Sequence, residues 1–172
     1  VILAREMSLN EIKEIRERVP EELELEAFVH GAMCISYSGR CLLSNFMAGR
    51  DANRGACTQP CRWGYTIVEE KRPEDHFPIE ESPVGTFIMS SKDMCTIEHI
   101  PELISSGVSS LKIEGRVKSE YYVATVVKSY RAAIDAYMAN PDDWYKDYYK
   151  TELEKVSHRM YDTGFFYGRP EE

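Results

Sequence analysis

The chain has 172 residues, of which 43% are apolar and 29% charged. That length can bury a core for one or two domains, and that balance excludes wholesale disorder. The formal net charge of -8 argues against holding nucleic acid by overall charge alone, and no apolar run approaches the roughly 18 residues that span a bilayer.

"VILARE" opens the chain as a β-branched, apolar run that reads as a strand already under way at residue 1. The expectation is a piece of a longer protein, with no secretory leader and a cytoplasmic setting. Ser8 then offers an N-cap, and Glu11 completes a capping box. Leu9, Ile12, Ile15 and Val19 follow at helical spacing until Pro20 ends the pattern. "LELEAFVHG" alternates Leu23, Leu25, Ala27 and Val29 against Glu24, Glu26, Phe28 and His30, which predicts a strand. Strand, helix and strand in this order make a βαβ unit and imply a parallel sheet.

The next stretch, "CISYSGRCLLSNFMAGRDANRGACTQPC", carries four of the five cysteines. It begins where the strand ends, and in α/β folds ligands gather at the carboxyl ends of strands. Arg40, Arg50, Arg54 and Arg62 share this loop with Asp51 as its sole acid. Acidic clusters lie on either side: Glu21, Glu22, Glu24 and Glu26 before it, Glu69, Glu70, Glu74, Asp75, Glu80 and Glu81 after it. The basic island could therefore face a phosphate or a carboxylate.

Residues 66–83 read as a charged hairpin or excursion, with Pro73, Pro78 and Pro83 as breaks. "GTFIMSSKDM" predicts a short strand, then Ser90 or Ser91 capping a short helix with Asp93 and Met94 in its first turn. Ile100, Leu103 and Ile104 continue a helix that stops at Gly107. "VSSLKIEGR" is the strand of a second βαβ unit. A long helix is predicted from about Ser119 to Asn140, with Val123, Val126, Val127, Tyr130, Ile134 and Tyr137 as its apolar stripe. The tyrosine-rich tail reads as a helix packed on the domain plus an extended end, or else as a base-stacking surface. Residues 1–140 thus form a partial α/β domain with a cysteine-rich loop at 31–64, and 141–172 a tail leading toward a further domain.

Cysteine spacing leaves three readings open. Cys34 and Cys41 are separated by six residues and Cys57 and Cys61 by three, while Cys95 stands alone. Zinc ribbons pair thiols two to four residues apart, twice. Iron–sulfur clusters accept wider loops, and Gly39, Gly49 and Gly55 would let the backbone wrap closely and donate amides to cluster sulfurs. Unligated thiols are the third reading, and a cytoplasmic setting makes disulfides the weakest of all.

Acid–base candidates are Glu26, His30 and Glu114. Regular alternation puts Glu26 and His30 on one strand face, about 13 Å apart. Lys112, Glu114 and Arg116 share another face, as an internal ionic network or as an anion site built on Arg116. His76, His99 and His158 have no convincing partners, and neither "HEXXH" nor "GXSXG" occurs.

"EAFVHGAMCISYSGRCLLS" resembles the signature of the collagenase-like peptidase family U32, through Glu26, Phe28, Gly31, Ala32, Met33, Cys34, Gly39, Cys41, Leu43 and Ser44. "GRDANRGACTQPCRW", "SSKDMC" and "SLKIEGRVKSEYYVATVVKSYR" resemble further blocks, so that the resemblance covers about residues 1–170. It implies the final part of a TIM-like (β/α) barrel with parallel strands and with the thiols at its mouth. Relatives in that family include oxygen-independent hydroxylases that carry an iron–sulfur cluster. Some act on a tRNA wobble uridine with prephenate as oxygen donor, one on a ribosomal RNA cytidine, and others in ubiquinone synthesis.

The resemblance implies a 4Fe-4S cluster on Cys34, Cys41, Cys57 and Cys95, with Cys61 as spare or substitute. Arg5, Arg54, Arg62 and Arg116 are the candidates for carboxylate or phosphate recognition, on position and charge. The expected partners are tRNA or another RNA and a small carboxylate such as prephenate. Two alternatives stand beside this: a collagenase-like peptidase, needing a metal-activated water, and a non-catalytic scaffold module holding zinc. A partial barrel would also expose sheet edges, so a homodimer of this piece is expected.

Overall fold

In the computed structural model the described residues are 1–63, 65–78 and 92–168. In chain order the elements are α1 (Leu9–Arg18), β1 (Glu26–Ala32), α2 (Leu43–Ala48), β2 (Thr66–Glu69), β3 (Arg72–Pro78), β4 (Asp93–Cys95), α3 (Ile100–Ser105), β5 (Ser110–Glu114), α4 (Glu120–Ala139), α5 (Asp147–Glu154) and β6 (Tyr161–Asp162). Short 3-10 turns at Ala52–Arg54, Pro60–Arg62 and Ile97–His99 join them. The chain divides into two compact units, one of Val1–Met33 with Lys92–Glu172 and one of Cys34–Ser91.

In the first unit the local rules act as expected. Ser8 Oγ accepts from the Glu11 amide and Glu11 Oε2 from the Ser8 amide at 2.8 Å, a complete capping box. Leu9 and Ile12 turn inward, and Arg16 closes the far end by donating to the Leu23 carbonyl at 2.7 Å. The opening run is a single parallel bridge, Ile2 to Glu26, rather than a full strand. Ser119 caps α4 and Asn140 ends it.

The main sheet has the order β5-β1-β4-β6. β1 runs parallel to β5, and β4 parallel to β6. The expected all-parallel sheet fails at β1 and β4, which pair antiparallel through His30↔Cys95, Gly31↔Met94 and Ala32↔Asp93. Asp93 and Met94 are therefore strand residues and not the first turn of a helix; Ser90 and Ser91, the predicted caps, lie outside the described residues. The physical reason is burial, since Asp93 and Met94 are almost wholly enclosed and the ladder with β1 satisfies their backbone. This unit is thus mixed α/β, with mostly parallel pairings and helices packed on the sheet.

Its core joins Leu25, Ala27, Val29, Ile97, Ile100 and Leu103 to α4 and to the tail. The tyrosine-rich segment contributes Trp144, Tyr149, Leu153, Val156 and Phe166 to that same core. α4 keeps Val126, Tyr130, Ile134 and Tyr137 of its predicted stripe on the core but not Val123 and Val127. Tyr122, Thr125, Val126, Ser129, Tyr130 and Ala133 are buried, whereas Val123 and Val127 are exposed. Small side chains at Thr125, Ser129 and Ala133 let the helix approach closely, which reading by residue polarity misses; Ser129 Oγ donates to the Thr125 carbonyl and so needs no water.

In the second unit β2 and β3 form an antiparallel hairpin. Pro73 and Pro78 lie within β3 and do not break it; the third predicted break, Pro83, is outside the described residues. No helix among the described residues is long and apolar enough to cross a membrane.

Candidate functional site

β1 and β5 build the first cluster. Their register runs Glu26↔Ser110, Ala27↔Leu111 and Phe28↔Lys112, then steps to His30↔Ile113 and Gly31↔Glu114. Val29 is the extra residue of a β-bulge, and past it the alternation reverses. Glu26 and Phe28 share one face with Ser110, Lys112 and Glu114, while His30 turns to the face of Ala27 and Leu111. The expectation that Glu26 and His30 share a face is corrected by that one inserted residue.

On the polar face the charges are interlocked. Lys112 Nζ donates to Glu26 Oε1 at 2.9 Å and Ser110 Oγ to Glu26 Oε2 at 2.8 Å. These hydrogen bonds, Lys112 first, hold the Glu26 carboxyl below its ordinary pKa. Arg5 Nη2 meets Glu114 Oε2 at 3.2 Å, with both side chains largely buried. The Arg5 guanidinium also lies 4.2 Å from the centre of the Phe28 ring, and Lys112 Nζ lies 5.4 Å from it. Among the described residues, Arg5 Nε is buried and meets no hydrogen-bond partner. Arg116 is exposed, and its amide donates to Glu114 Oε1 at 2.8 Å. Two cations, two carboxylates and one ring thus form a face that can orient a charged ligand.

Gly31 sets how closely β1 and β5 approach. Its φ is +107°, and a Cβ there would stand 2.3 Å from the Glu114 carbonyl oxygen. Only glycine permits both that backbone and that proximity.

His30 belongs to the opposite, buried face. It has 0% exposure, and its ring lies among those of Tyr130, Tyr161 and Tyr122 at 5.5, 5.3 and 6.1 Å. Burial pushes its pKa down to about 4, with Asp93 pulling the other way. The imidazole is therefore neutral near pH 7. Tyr130 OH donates to the Val29 carbonyl at 2.8 Å and accepts from the Thr96 amide at 2.9 Å. Cys95, opposite His30 across the ladder, has its thiol pKa raised by burial, and the Ile97 backbone and the Tyr130 hydroxyl lower it in part.

The second cluster is the thiol segment of the other unit. Cys34, Cys41, Cys57 and Cys61 are all partly buried. Gly39, Gly49 and Gly55 take φ of +75°, +64° and +79°, so the backbone does bend tightly between the thiols. Gln59 also has positive φ, +55°, unusual for a side-chain-bearing residue. That turn aims its amide at Cys57 Sγ, 3.3 Å away. Buried Ser44 ties α2 to this turn, accepting from the Thr58 amide at 3.1 Å. Asn45 Nδ2 donates to Asp51 at 2.6 Å and Asn53 Nδ2 to the Gly39 carbonyl at 3.0 Å. Arg54 ends the Ala52–Arg54 turn, and Arg62 the Pro60–Arg62 turn. Among the described residues, no three His, Cys, Asp or Glu side chains already form a metal-holding group.

The structure therefore brings Glu26, Glu114 and Arg5 into one network with Arg116 at its edge. His30 and Cys95 sit together on the other side of that sheet. Phe28 had been named only as a strand and signature residue and Ser110 not at all; their place beside Glu26 and Lys112 follows from the β1–β5 register.

The model of Peptidase family U32 matches residues 1–172, and the chain belongs to that family. It is 49% identical over 99% of its length to tRNA hydroxylation protein P1 of Bacillus subtilis, covering 40% of that protein. It is 48% identical over 97% of its length to an uncharacterized protease of Methanocaldococcus jannaschii, covering 41% of it. Identity to tRNA hydroxylation protein P of Escherichia coli is 42% over 96% of this chain and 44% of that protein. The chain thus spans about two fifths of the length of these relatives. No solved structure matches it.

Proposed function

We propose that this chain is part of an iron–sulfur-dependent, oxygen-independent hydroxylase acting on the wobble uridine of tRNA in the cytoplasm. The observation that carries the reading is the 42–49% identity to proteins named for tRNA hydroxylation over nearly the whole chain. The strands and helices of the first unit would then be the last part of a TIM-like barrel.

The thiol segment fits a 4Fe-4S cluster by donor chemistry. Thiolates are the ligands such clusters take, and the Gln59 amide near Cys57 Sγ is the kind of donor that tunes a cluster sulfur. Cys34, Cys41, Cys57 and Cys95 would hold it, with Cys61 as substitute, and ligation would gather thiols not yet assembled, as metal sites commonly do on folding. When bound, such a cluster supplies one-electron chemistry.

The chain's own residues do the rest. Arg5 and Arg116, beside Glu114, would orient the carboxylate of a small donor such as prephenate. Glu26, held ionised by Lys112, supports that face as a fixed charge. Arg54 and Arg62 would meet RNA phosphate.

The peptidase alternative is the weaker reading. A peptidase base must take a proton from water, whereas Glu26 and Glu114 already face a lysine and an arginine.

The test is mass spectrometry of nucleosides from tRNA incubated anaerobically with reconstituted protein and a small carboxylate donor. A uridine heavier by one oxygen, lost in Cys34→Ala, supports the reading. A folded, cluster-loaded protein that leaves uridine unchanged overturns it.

A further inference from the structure

The thiol-bearing unit carries a second chemistry that its cysteines do not explain. Phe46 on α2 is 88% exposed, Tyr37 66% and Trp63 46%. These three exposed rings lie within 27 residues of one small unit. Arg40, Arg50 and Arg54 are exposed in the same segment, against one acid, Asp51. The chain as a whole carries -8, so this cationic stretch runs against the general charge.

Hydrogen bonds tie together the residues next to these rings and arginines in the chain. Asn53, next to Arg54, donates to the carbonyl of Gly39, next to Arg40. Asn45, next to Phe46, donates to Asp51, next to Arg50. Tyr65, two residues past Trp63, donates to the Pro60 carbonyl at 2.6 Å and reaches Met47 Sδ at 3.5 Å, beside Phe46. Rings and guanidinium groups therefore follow one another along a turn segment whose backbone is tied by side-chain hydrogen bonds.

We propose that this face of the thiol unit grips a single-stranded RNA segment, Tyr37, Phe46 and Trp63 stacking on unpaired bases while Arg40, Arg50 and Arg54 meet the phosphates. The inference rests on the RNA reading above and names the surface that would serve it. Exposed rings select for unstacked bases, because duplex bases hide their faces from side chains. Arginines spaced between rings suit a backbone that runs past the stacked bases. Charge complementarity favours RNA over an acid-poor protein partner.

The experiment titrates the chain with a fluorescein-labelled eight-residue oligouridine and with a duplex of mixed sequence, read by anisotropy at two salt concentrations. Trp63 supplies a second readout. Trp144 is only 9% exposed, so quenching of tryptophan emission by the strand reports stacking on Trp63. The expected result is weaker strand binding by about tenfold in Phe46→Ala and in Tyr37→Ala. Each of Arg40→Gln, Arg50→Gln and Arg54→Gln should cut the salt slope by about 0.7. The duplex should bind at least about tenfold less well than the strand.

Strand binding that all these variants leave unchanged overturns the inference alone. Binding of strand and duplex alike also overturns it, since charge would then suffice. A wild-type chain that binds no RNA overturns both the inference and the reading beneath it. If Phe46→Ala converts an oligomer to a monomer without altering RNA affinity, the face is a protein contact and the inference falls.

Discussion

Nδ1 of His30 lies 3.4 Å from the hydroxyl of Tyr130, and its Nε2, equally buried, meets no hydrogen-bond partner among the described residues. An imidazole so enclosed loses the hydration that would favour a positive charge. Its folded pKa of about 4 against an ordinary 6.5 follows from that burial.

The sign of the consequence is definite. The unfolded chain protonates His30 below pH 6.5, whereas the folded chain resists until about pH 4. The stabilisation is therefore complete above the unfolded value and is lost as pH falls through that window, by roughly 3 kcal/mol. Urea midpoints measured from pH 7.5 to 4 should fall across this range. In His30→Phe the fall should be much shallower; an unchanged profile would show that other groups control acid stability.

Gly31→Ala should be far more damaging than a substitution at an open glycine. A Cβ at Gly31 collides with the Glu114 backbone, while Gly39, also of positive φ, has open space around it. We expect about 3 kcal/mol or more for Gly31→Ala and about 1 kcal/mol for Gly39→Ala. Thermal melts of the two variants, compared side by side, decide the matter. Equal losses would mean that β1 and β5 can move apart without cost.

Arg5 and Lys112 both pair with carboxylates, but they should not matter equally. The Lys112–Glu26 pair is partly open to solvent, so a double-mutant cycle should give about 1 kcal/mol or less. Arg5 is more buried and lies over Phe28 as well as facing Glu114. Arg5→Ala should cost about 2 kcal/mol, and Arg5→Lys should recover only part of it, because lysine lacks the flat guanidinium. Full recovery by lysine would reduce the role of Arg5 to charge.

Cys95 should be the slowest thiol to alkylate in the metal-free protein. Burial raises its pKa, so less thiolate is present at a given pH. Timed iodoacetamide labelling with peptide mass spectrometry should find Cys95 modified after Cys34 and Cys41 at pH 7.5. Early labelling of Cys95 would show that the β4 ladder opens readily.

Much of this architecture was legible because it follows from neighbours in sequence. Ser8 with Glu11 announced α1, and Ser119 with Asn140 bounded α4 closely. The family, too, could be recognised, from whole motif blocks such as "EAFVHGAMCISYSGRCLLS". What could not be read depended on partners distant in the chain. The bulge at Val29 arises from pairing with β5, and no local pattern signals it, so His30 was expected on the face of Glu26. Asp93 looked like a helix-start residue until the β1 ladder enclosed it. Val123 and Val127 looked like core by polarity, yet the small face of Thr125, Ser129 and Ala133 packs closer. The network of Arg5, Phe28 and Glu114 joins three separate segments and had no sequence signature of its own.

The rung Ala32↔Asp93 has a wider consequence. The whole thiol-bearing unit leaves the sheet at one side of that rung and returns at the other. A tether whose two ends are already neighbours adds only a slowly growing closure entropy as it lengthens. Evolution can therefore extend, shorten or rewire the thiol segment while the sheet beneath keeps its register. The same property makes the segment portable: cut at 33 and 92, it could be exchanged between family members as a cassette that carries Cys34, Cys41, Cys57 and Cys61 and leaves Cys95 on the sheet.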